Sequence, residues 1–399
     1  MNTPNLNVVS GDAATVVLER ARALVPVLAA RSASTEATRR VPDETIADFH
    51  RAGLFRVMQP ARYGGLELDF GVFASITREL ARGCGSSAWV YAVVEELFWV
   101  LATFPEAAQE EIWGEDPNAL ACASVVPTGS AVKDGDGWRL SGDWHYLSGS
   151  DHAAWVFLTA ACDDGKGGRE LRNFFVRRAE LQVIDDWQVM GLAGTGSKSV
   201  KADGVFAPAH RSVRYDDILN GTAPGVRVHP GYRLCRAPRR YLTAFSISPV
   251  ILGLANRALD ITTAMLRSRI KSGAVPDEID MIQQRIAEST AELNAANMIF
   301  DTHVRQSDDL VNSDAPIREA DVLQNRLMAS FMIRLSKQAV ERLCLLSGSR
   351  VAFNSHPMQV VLRDVLVGAT HRSYSWDAIA RDYSQSLGIA RGSTGFVGP

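Results

Sequence analysis

The chain has little surplus charge of either sign: 42 Lys and Arg stand against 45 Asp and Glu, for a net charge of −3. Without a basic excess there is little to hold a phosphate backbone, so no nucleic-acid partner is expected. Its five cysteines, at positions 84, 122, 162, 235 and 344, are scattered and form no CxxC pair. That spacing excludes a zinc knuckle and a disulfide framework. No run of 18 uncharged apolar residues occurs, so no membrane span is expected. The opening MNTPNLNVVSGDAATVV lacks the basic start and apolar core of a secretion signal. These absences lead to the expectation of a cytoplasmic protein with reduced thiols.

Chemical signatures are also missing. HExxH, an EF-hand loop and a GxSxG elbow are absent, and no GxGxxG opens a βαβ unit. Zincin, calcium-sensor, hydrolase and Rossmann readings fall with them. GTGSKS at 194–199 sits between strand-like runs without P-loop spacing, which removes the NTPase reading.

What is present is an ordinary globular composition: 399 residues, 46% apolar and 22% charged, enough for two or three packed units. Residues 1–118 read as an α-helical domain. Val16, Val17, Leu18, Ala21, Leu24, Val25 and Leu28 recur at helical steps, and further helices are predicted at 43–52, 69–82 and 87–103. Residues 119–217 carry short β-favouring runs separated by Gly- and Asp-rich turns such as DGDG (134–137) and DDGKGG (163–168), which predicts an antiparallel β-domain. Residues 218–399 begin with an Arg-rich connector over 218–240. It is long for a loop and a candidate functional element. Helices at 250–271, 277–306, 317–347 and 356–373 then predict a four-helix bundle, with Gly253 and Ala255 permitting close approach.

Two features suggest a site. CASVVPTGS (122–130) and WHYLSGSDHAAW (144–155) set small hydroxyl residues beside Gly in apolar strands. They read either as plain turns and bulges or as a flat wall for a planar polar ligand. His371, predicted on a helix, reads as a surface or core residue or as a proton acceptor, and Arg363 and Asp364 could simply pair across the helix surface.

Taken with LFRVMQPARYGGLELD (54–69), RELARGCGSSAWV (78–90), LSGDWHYLSGSDHAAW (140–155), VMGLAGTGSKS (189–199) and LRDVLVGATH (362–371), the α–β–α order resembles the acyl-CoA dehydrogenase fold. Within it, these runs are most similar to the oxygenase components of two-component flavin-dependent monooxygenases, a group that includes 4-hydroxyphenylacetate 3-hydroxylases and secosteroid phenol hydroxylases. The resemblance implies FMN or FAD in reduced form and O2 as co-substrates, and a separate NAD(P)H:flavin reductase. It also implies hydroxylation of an aromatic, phenolic substrate through a flavin C4a-hydroperoxide, and a homotetramer built as a dimer of dimers. A dehydrogenase would need a base, usually Glu, yet no Glu follows Glu341 and none lies between Leu181 and Pro276.

Residue by residue, the resemblance implies that Trp89 lies against the isoalloxazine and that Ser124, Val126 and Thr128 face its pyrimidine side. Ser148 would sit near N5, and Thr195 and Ser197 would help hold the flavin across a subunit boundary. His371 would line the cavity and accept a substrate proton, with Ser124 also on the substrate side. One departure stands out: Leu97 occupies the place of a substrate-facing His, beside Glu95 and Glu96. These carboxylates either face solvent or mark a different substrate, such as an amine or amino sugar open to N-oxygenation. The connector arginines 233, 236, 239 and 240 read as solvated, or as contacts to a phosphate or an acidic group.

Overall fold

The computed structural model describes residues 10–163, 168–273 and 278–389. The opening segment before residue 10, part of the turn at 163–168 and the predicted helix start at Asp277 lie outside the described residues.

The first helices are α1 (Ser10–Thr38), α2 (Asp43–Arg51), α3 (Phe70–Ala81) and α4 (Gly85–Ala102). On α1, Val17, Ala21 and Leu28 of the predicted stripe are nearly inaccessible, whereas Val16 is exposed. Pro42 caps α2 in an extended conformation, and Asp43 and Glu44 place negative charge on its first turn. Every residue of α4 except Val93 is buried.

Seven strands follow: β1 (Ala121–Asp134), β2 (Gly137–Leu147), β3 (Trp155–Asp163), β4 (Arg169–Arg177), β5 (Gln182–Ile184), β6 (Lys198–Pro208) and β7 (Ser212–Arg214). They form one sheet in the order β5-β6-β2-β1-β3-β4-β7. Each described pairing is antiparallel, as expected, except β1 with β3, which run parallel. The hairpin β1–β2 uses one edge of β1, so β3, which reaches it through the 148–154 crossover, pairs on the other. Side chains alternate across β3. Trp155 and Phe157 join the helical core, while Val156 and Leu158 join a second core inside the β-domain.

The chain returns to helix in α5 (Ser248–Lys271), α6 (Ile279–Val311), α7 (Glu319–Leu345) and α8 (Pro357–Ala369), which pack together as a four-helix bundle. A further helix, α9 (Trp376–Ser386), is not evident in the sequence pattern and packs on α7. The connector is not an open loop but a series of single turns (Tyr215–Asn220, Gly225–Val228, Arg233–Arg236, Arg239–Leu242). The stretch Arg239–Lys271 is long and apolar enough to cross a bilayer, yet 78% of its most apolar window is buried within the fold. All five cysteines are buried and unpaired.

Gly253 is where α5 meets α3. A Cβ there would lie 2.2 Å from the Arg78 carbonyl oxygen and 2.6 Å from the Ala81 Cβ. Backbone cannot yield as a flexible side chain does, so Gly253→Ala should cost about 1–3 kcal/mol. A lowered urea midpoint at unchanged m-value checks this; an unchanged midpoint would show that the two helices are free to separate.

Candidate active site

The site is organised around the N-terminal half of α4. Trp89, 8% exposed, directs its Nε1–H to Ser148 Oγ at 3.2 Å. Ser148 lies in the turn after β2, which is pinned to the 193–197 loop by Gly149 N–H to the Thr195 carbonyl (2.9 Å) and by Ser150 Oγ to the Gly196 carbonyl (3.1 Å). Ser148 and Ser197 hydroxyls are 2.7 Å apart, and Ser197 and Thr195 hydroxyls are also 2.7 Å apart. Thr195 Oγ1 donates to the Leu192 carbonyl at 2.8 Å.

Proton bookkeeping gives this chain a direction. Each hydroxyl has one proton. Thr195 donates its proton to a carbonyl, so it accepts from Ser197; Ser197 therefore accepts from Ser148. Ser148 has then committed its proton and already accepts from Trp89. Toward anything else it is an acceptor.

The loop itself is held by α8. Asp364 Oδ1 accepts from Leu192 N–H at 2.6 Å, where Leu192 adopts a left-handed φ of 53°. A Cβ on Gly191 would fall 2.3 Å from the Arg363 carbonyl oxygen, so this approach needs glycine. Arg363 donates to the Met190 carbonyl at 2.5 Å and pairs with Glu36 of α1. The pairing of Arg363 with Asp364 across a helix surface is therefore replaced by a two-point clamp on the loop. Burial pushes the Asp364 carboxyl up to about 7.

His371 does not sit within a helix. α8 ends at Ala369, and His371 Nδ1 accepts from Ser373 N–H at 3.3 Å, a local bond that competes with helix continuation. The imidazole meets the Trp89 ring edge-on at a centroid distance of 6.0 Å and lies 5.6 Å from the Tyr374 ring. Burial lowers its pKa, opposed by the charge of Glu96.

β1 is irregular in its middle. Residues 125–128 pair with neither β2 nor β3, and the register against β3 shifts between Ser124 and Gly129. Ser124 Oγ is tied to the His145 carbonyl (2.8 Å) and Thr128 Oγ1 to the Asp143 carbonyl. Val125 and Val126 are 39% and 40% exposed. An irregular, half-exposed strand stretch, an indole face and one hydroxyl acceptor suit a flat ring with a polar rim. That set would fit a flavin.

The α4 carboxylates are not solvated, contrary to one of the two sequence readings. Glu95 is fully buried and accepts from Met58 N–H at 2.7 Å, on a different helix face from Trp89. Burial drives its carboxyl toward the protonated form. Glu96 is 7% exposed and receives two bonds from Arg239, at 2.6 and 2.9 Å. Leu97 is a core side chain. Of the connector arginines, 233 and 236 pair with Asp314 and 240 with Glu319, all at the surface; only Arg239 turns inward. Hydrogen bonds and a ring contact thus bring Trp89, Ser148, Thr195, Ser197 and His371 together, with Glu96 two turns along α4 from Trp89, and Glu95 and Leu97 lie in the core. Tyr374 and Asp364 complete the arrangement; only their burial, hidden at sequence level, distinguishes them.

Asp364 makes the clamp pH-sensitive. Its folded pKa lies above the ordinary 3.8, so stability is full below that value and falls as pH rises toward 7. Asp364→Asn keeps the acceptor for Leu192 N–H but cannot ionise. The difference in unfolding free energy between variant and wild type should grow by on the order of 2–4 kcal/mol between pH 4 and pH 8. Parallel urea curves across that range are the check, and a constant difference would contradict it.

Comparison with known proteins agrees with this geometry. The acyl-CoA dehydrogenase N-terminal domain matches residues 15–116, and the acyl-CoA dehydrogenase C-terminal domain matches residues 245–376. The FADH2-dependent resorcinol hydroxylase, oxygenase component, of Rhizobium sp. (strain MTP-10005) is 32% identical, covering 88% of this chain and 89% of that protein. The oxygenase component of p-hydroxyphenylacetate 3-hydroxylase from Acinetobacter baumannii is 29% identical over 96% of this chain and 90% of its own. The crystal structure of the HsaA monooxygenase from M. tuberculosis superposes with a TM-score of 0.89 at 30% identity, covering 94% of this chain and all of that one. The chain belongs to the oxygenase components of two-component flavin-dependent monooxygenases that share the acyl-CoA dehydrogenase fold.

Proposed function

We propose that the protein hydroxylates a phenolic ring, taking reduced FMN or FAD from a separate NAD(P)H:flavin reductase and using O2. The directed chain Trp89–Ser148–Ser197–Thr195 carries this reading, because it leaves Ser148 only as an acceptor toward a bound ring. When bound, the reduced flavin supplies two electrons to O2, so that one oxygen atom enters the substrate and the other leaves as water. Ser148 holds the proton at flavin N5 by accepting from it. Trp89 gives the ring a flat wall, and the 125–128 edge offers backbone groups to its pyrimidine side. His371, kept neutral by burial, accepts the phenol proton and so enriches the aromatic ring in electrons. Thr195 and Ser197 act by orienting Ser148.

Relatives named as resorcinol and p-hydroxyphenylacetate hydroxylases support a phenol as substrate. The N-oxygenation reading rested on carboxylates free to meet an amine; Arg239 neutralises Glu96, and Glu95 faces Met58. For the dehydrogenase reading the late carboxylates are Asp364, Asp377 and Asp382, and the buried one, Asp364, is engaged with Leu192. Assembly as a homotetramer, a dimer of dimers, is supported by exposed apolar side chains late in the chain: Leu345 at 71%, Phe353 at 67% and Leu387 at 63%. Five buried free thiols accord with the cytoplasm. The division at 118/119 and 217/218 would leave the flavin between the sheet and the bundle.

Supplied with FMNH2 by a generic flavin reductase and a panel of phenols in air, the protein should yield a product heavier by one oxygen; no such product from any phenol would refute the reading. Ser148→Ala should raise the ratio of hydrogen peroxide to product several-fold, and an unchanged ratio would remove the N5 role. For His371, kcat/KM should rise with pH through a pKa below 6.5. In His371→Ala this limb should vanish, with product falling by on the order of 10²-fold.

A further inference from the structure

The direction of the hydroxyl chain is decided at its far end, on the Leu192 carbonyl. That oxygen takes Thr195 Oγ1–H at 2.8 Å, Thr195 N–H at 3.1 Å and Trp187 Nε1–H at 3.2 Å. Leu192 aims it from a left-handed backbone, φ 53° and ψ 30°, which an L side chain holds only where its surroundings over-determine it. On the other side of the residue the hold is one bond, from the Leu192 amide to Asp364 Oδ1 at 2.6 Å. Just before it the chain has no slack, because Gly191 is wedged against the Arg363 carbonyl and Arg363 grips the Met190 carbonyl. A Leu192 without its amide partner therefore recovers an ordinary φ by turning its carbonyl out of the loop. Thr195 is then free to donate to Ser197, and Ser197 to Ser148. Ser148, accepting from Ser197 and from Trp89, would carry its proton outward. The same three hydroxyls thus support two proton orders with opposite outcomes at Ser148.

We propose that Asp364 is a positioning residue for oxygen transfer. By holding the Leu192 amide it keeps the Leu192 carbonyl as the chain's terminal acceptor, and so fixes Ser148 as an acceptor toward the bound ring. Its influence passes through Leu192, Thr195 and Ser197, all of them buried, so water has little opening to replace a lost link. α8 thereby serves the site twice: it directs Ser148 through Asp364, and it ends two residues before His371. The inference rests on the acceptor role of Ser148 at flavin N5 and adds what imposes that role.

Neutron diffraction on deuterated, flavin-free crystals reads the proton order directly. In wild type the Ser148 deuteron should lie on the line to Ser197 Oγ, and the Thr195 deuteron on the line to the Leu192 carbonyl. Asp364→Ala should turn both away, and Asp364→Asn, which keeps an acceptor for Leu192 N–H, should restore them. A wild-type Ser148 deuteron pointing away from Ser197, or the wild-type order persisting in Asp364→Ala, would overturn the inference. Turnover supplies a second readout. With reduced FMN and a phenol in air, Asp364→Ala should raise the ratio of hydrogen peroxide to product several-fold, and Asp364→Asn should stay within about twofold of wild type. Ser148→Ala combined with Asp364→Ala should be no worse than Ser148→Ala alone; effects that multiply would show Asp364 acting elsewhere and refute its positioning of Ser148. Should Asp364→Ala not fold, the wild-type deuterons and Thr195→Val decide, since Thr195→Val cuts the same line inside the loop and an unchanged ratio there refutes the inference. If Ser148→Ala leaves the ratio unaltered, the N5 role falls while the deuterons still judge Asp364. A raised ratio in Ser148→Ala with none in Asp364→Ala refutes the role of Asp364 alone.

Discussion

A helix buried over nearly its whole surface cannot leave its polar groups to water, and α4 is such a helix, with Val93 alone not buried. Each hydrogen-bonding side chain on it must find its partner within the protein or remain unpaired at a cost of about 1–3 kcal/mol. Trp89 finds Ser148, Glu95 finds the Met58 amide, Glu96 finds Arg239, and Trp99 finds the Leu234 carbonyl at 2.8 Å. Those partners come from the β-domain, the early loop and the connector. These four pairings tie three otherwise separate parts of the chain to one helix, while Tyr91 Oη and Glu95 Oε2 stay unpartnered within it.

Much of this architecture was legible. Apolar positions at three- and four-residue steps marked α1 and α5, and an uninterrupted apolar stretch marked α4 as interior, because periodicity reports which faces avoid water. The sheet's strands were readable from β-branched and aromatic runs between Gly and Asp turns. The parallel pairing of β1 with β3 was not, since strand direction depends on where a crossover lands and not on the residues within it. α9 escaped because its half-buried surface leaves only Ile379 fully covered. The end of α8 escaped because a bond that the Ser373 amide donates to the His371 side chain, and no proline or glycine after the helix, marks it.

The site divides in the same manner. Trp89, Ser148, Thr195, Ser197 and His371 were nameable because they fall in runs that resemble a known family. Glu95 and Glu96 are adjacent and chemically identical, and nothing local tells them apart. One helical step sends the first into an apolar interior and the second toward an arginine 143 positions away. Asp364 is a similar case: its partner, Leu192, is 172 residues distant. Long-range pairing of single charges leaves no periodic trace.

The seclusion of the thiols bears on how such an enzyme survives its own errors. Oxygenases that waste reducing equivalents release peroxide, and peroxide attacks thiolates far faster than thiols. Here burial lifts Cys122 and Cys162 to about 12 and raises Cys235 and Cys344 as well. The sulfur this protein turns outward is thioether, in Met298 at 70% and Met190 at 55% exposure, whose oxidation cellular reductases reverse. Oxidative damage is thereby directed to the residues from which it can be repaired.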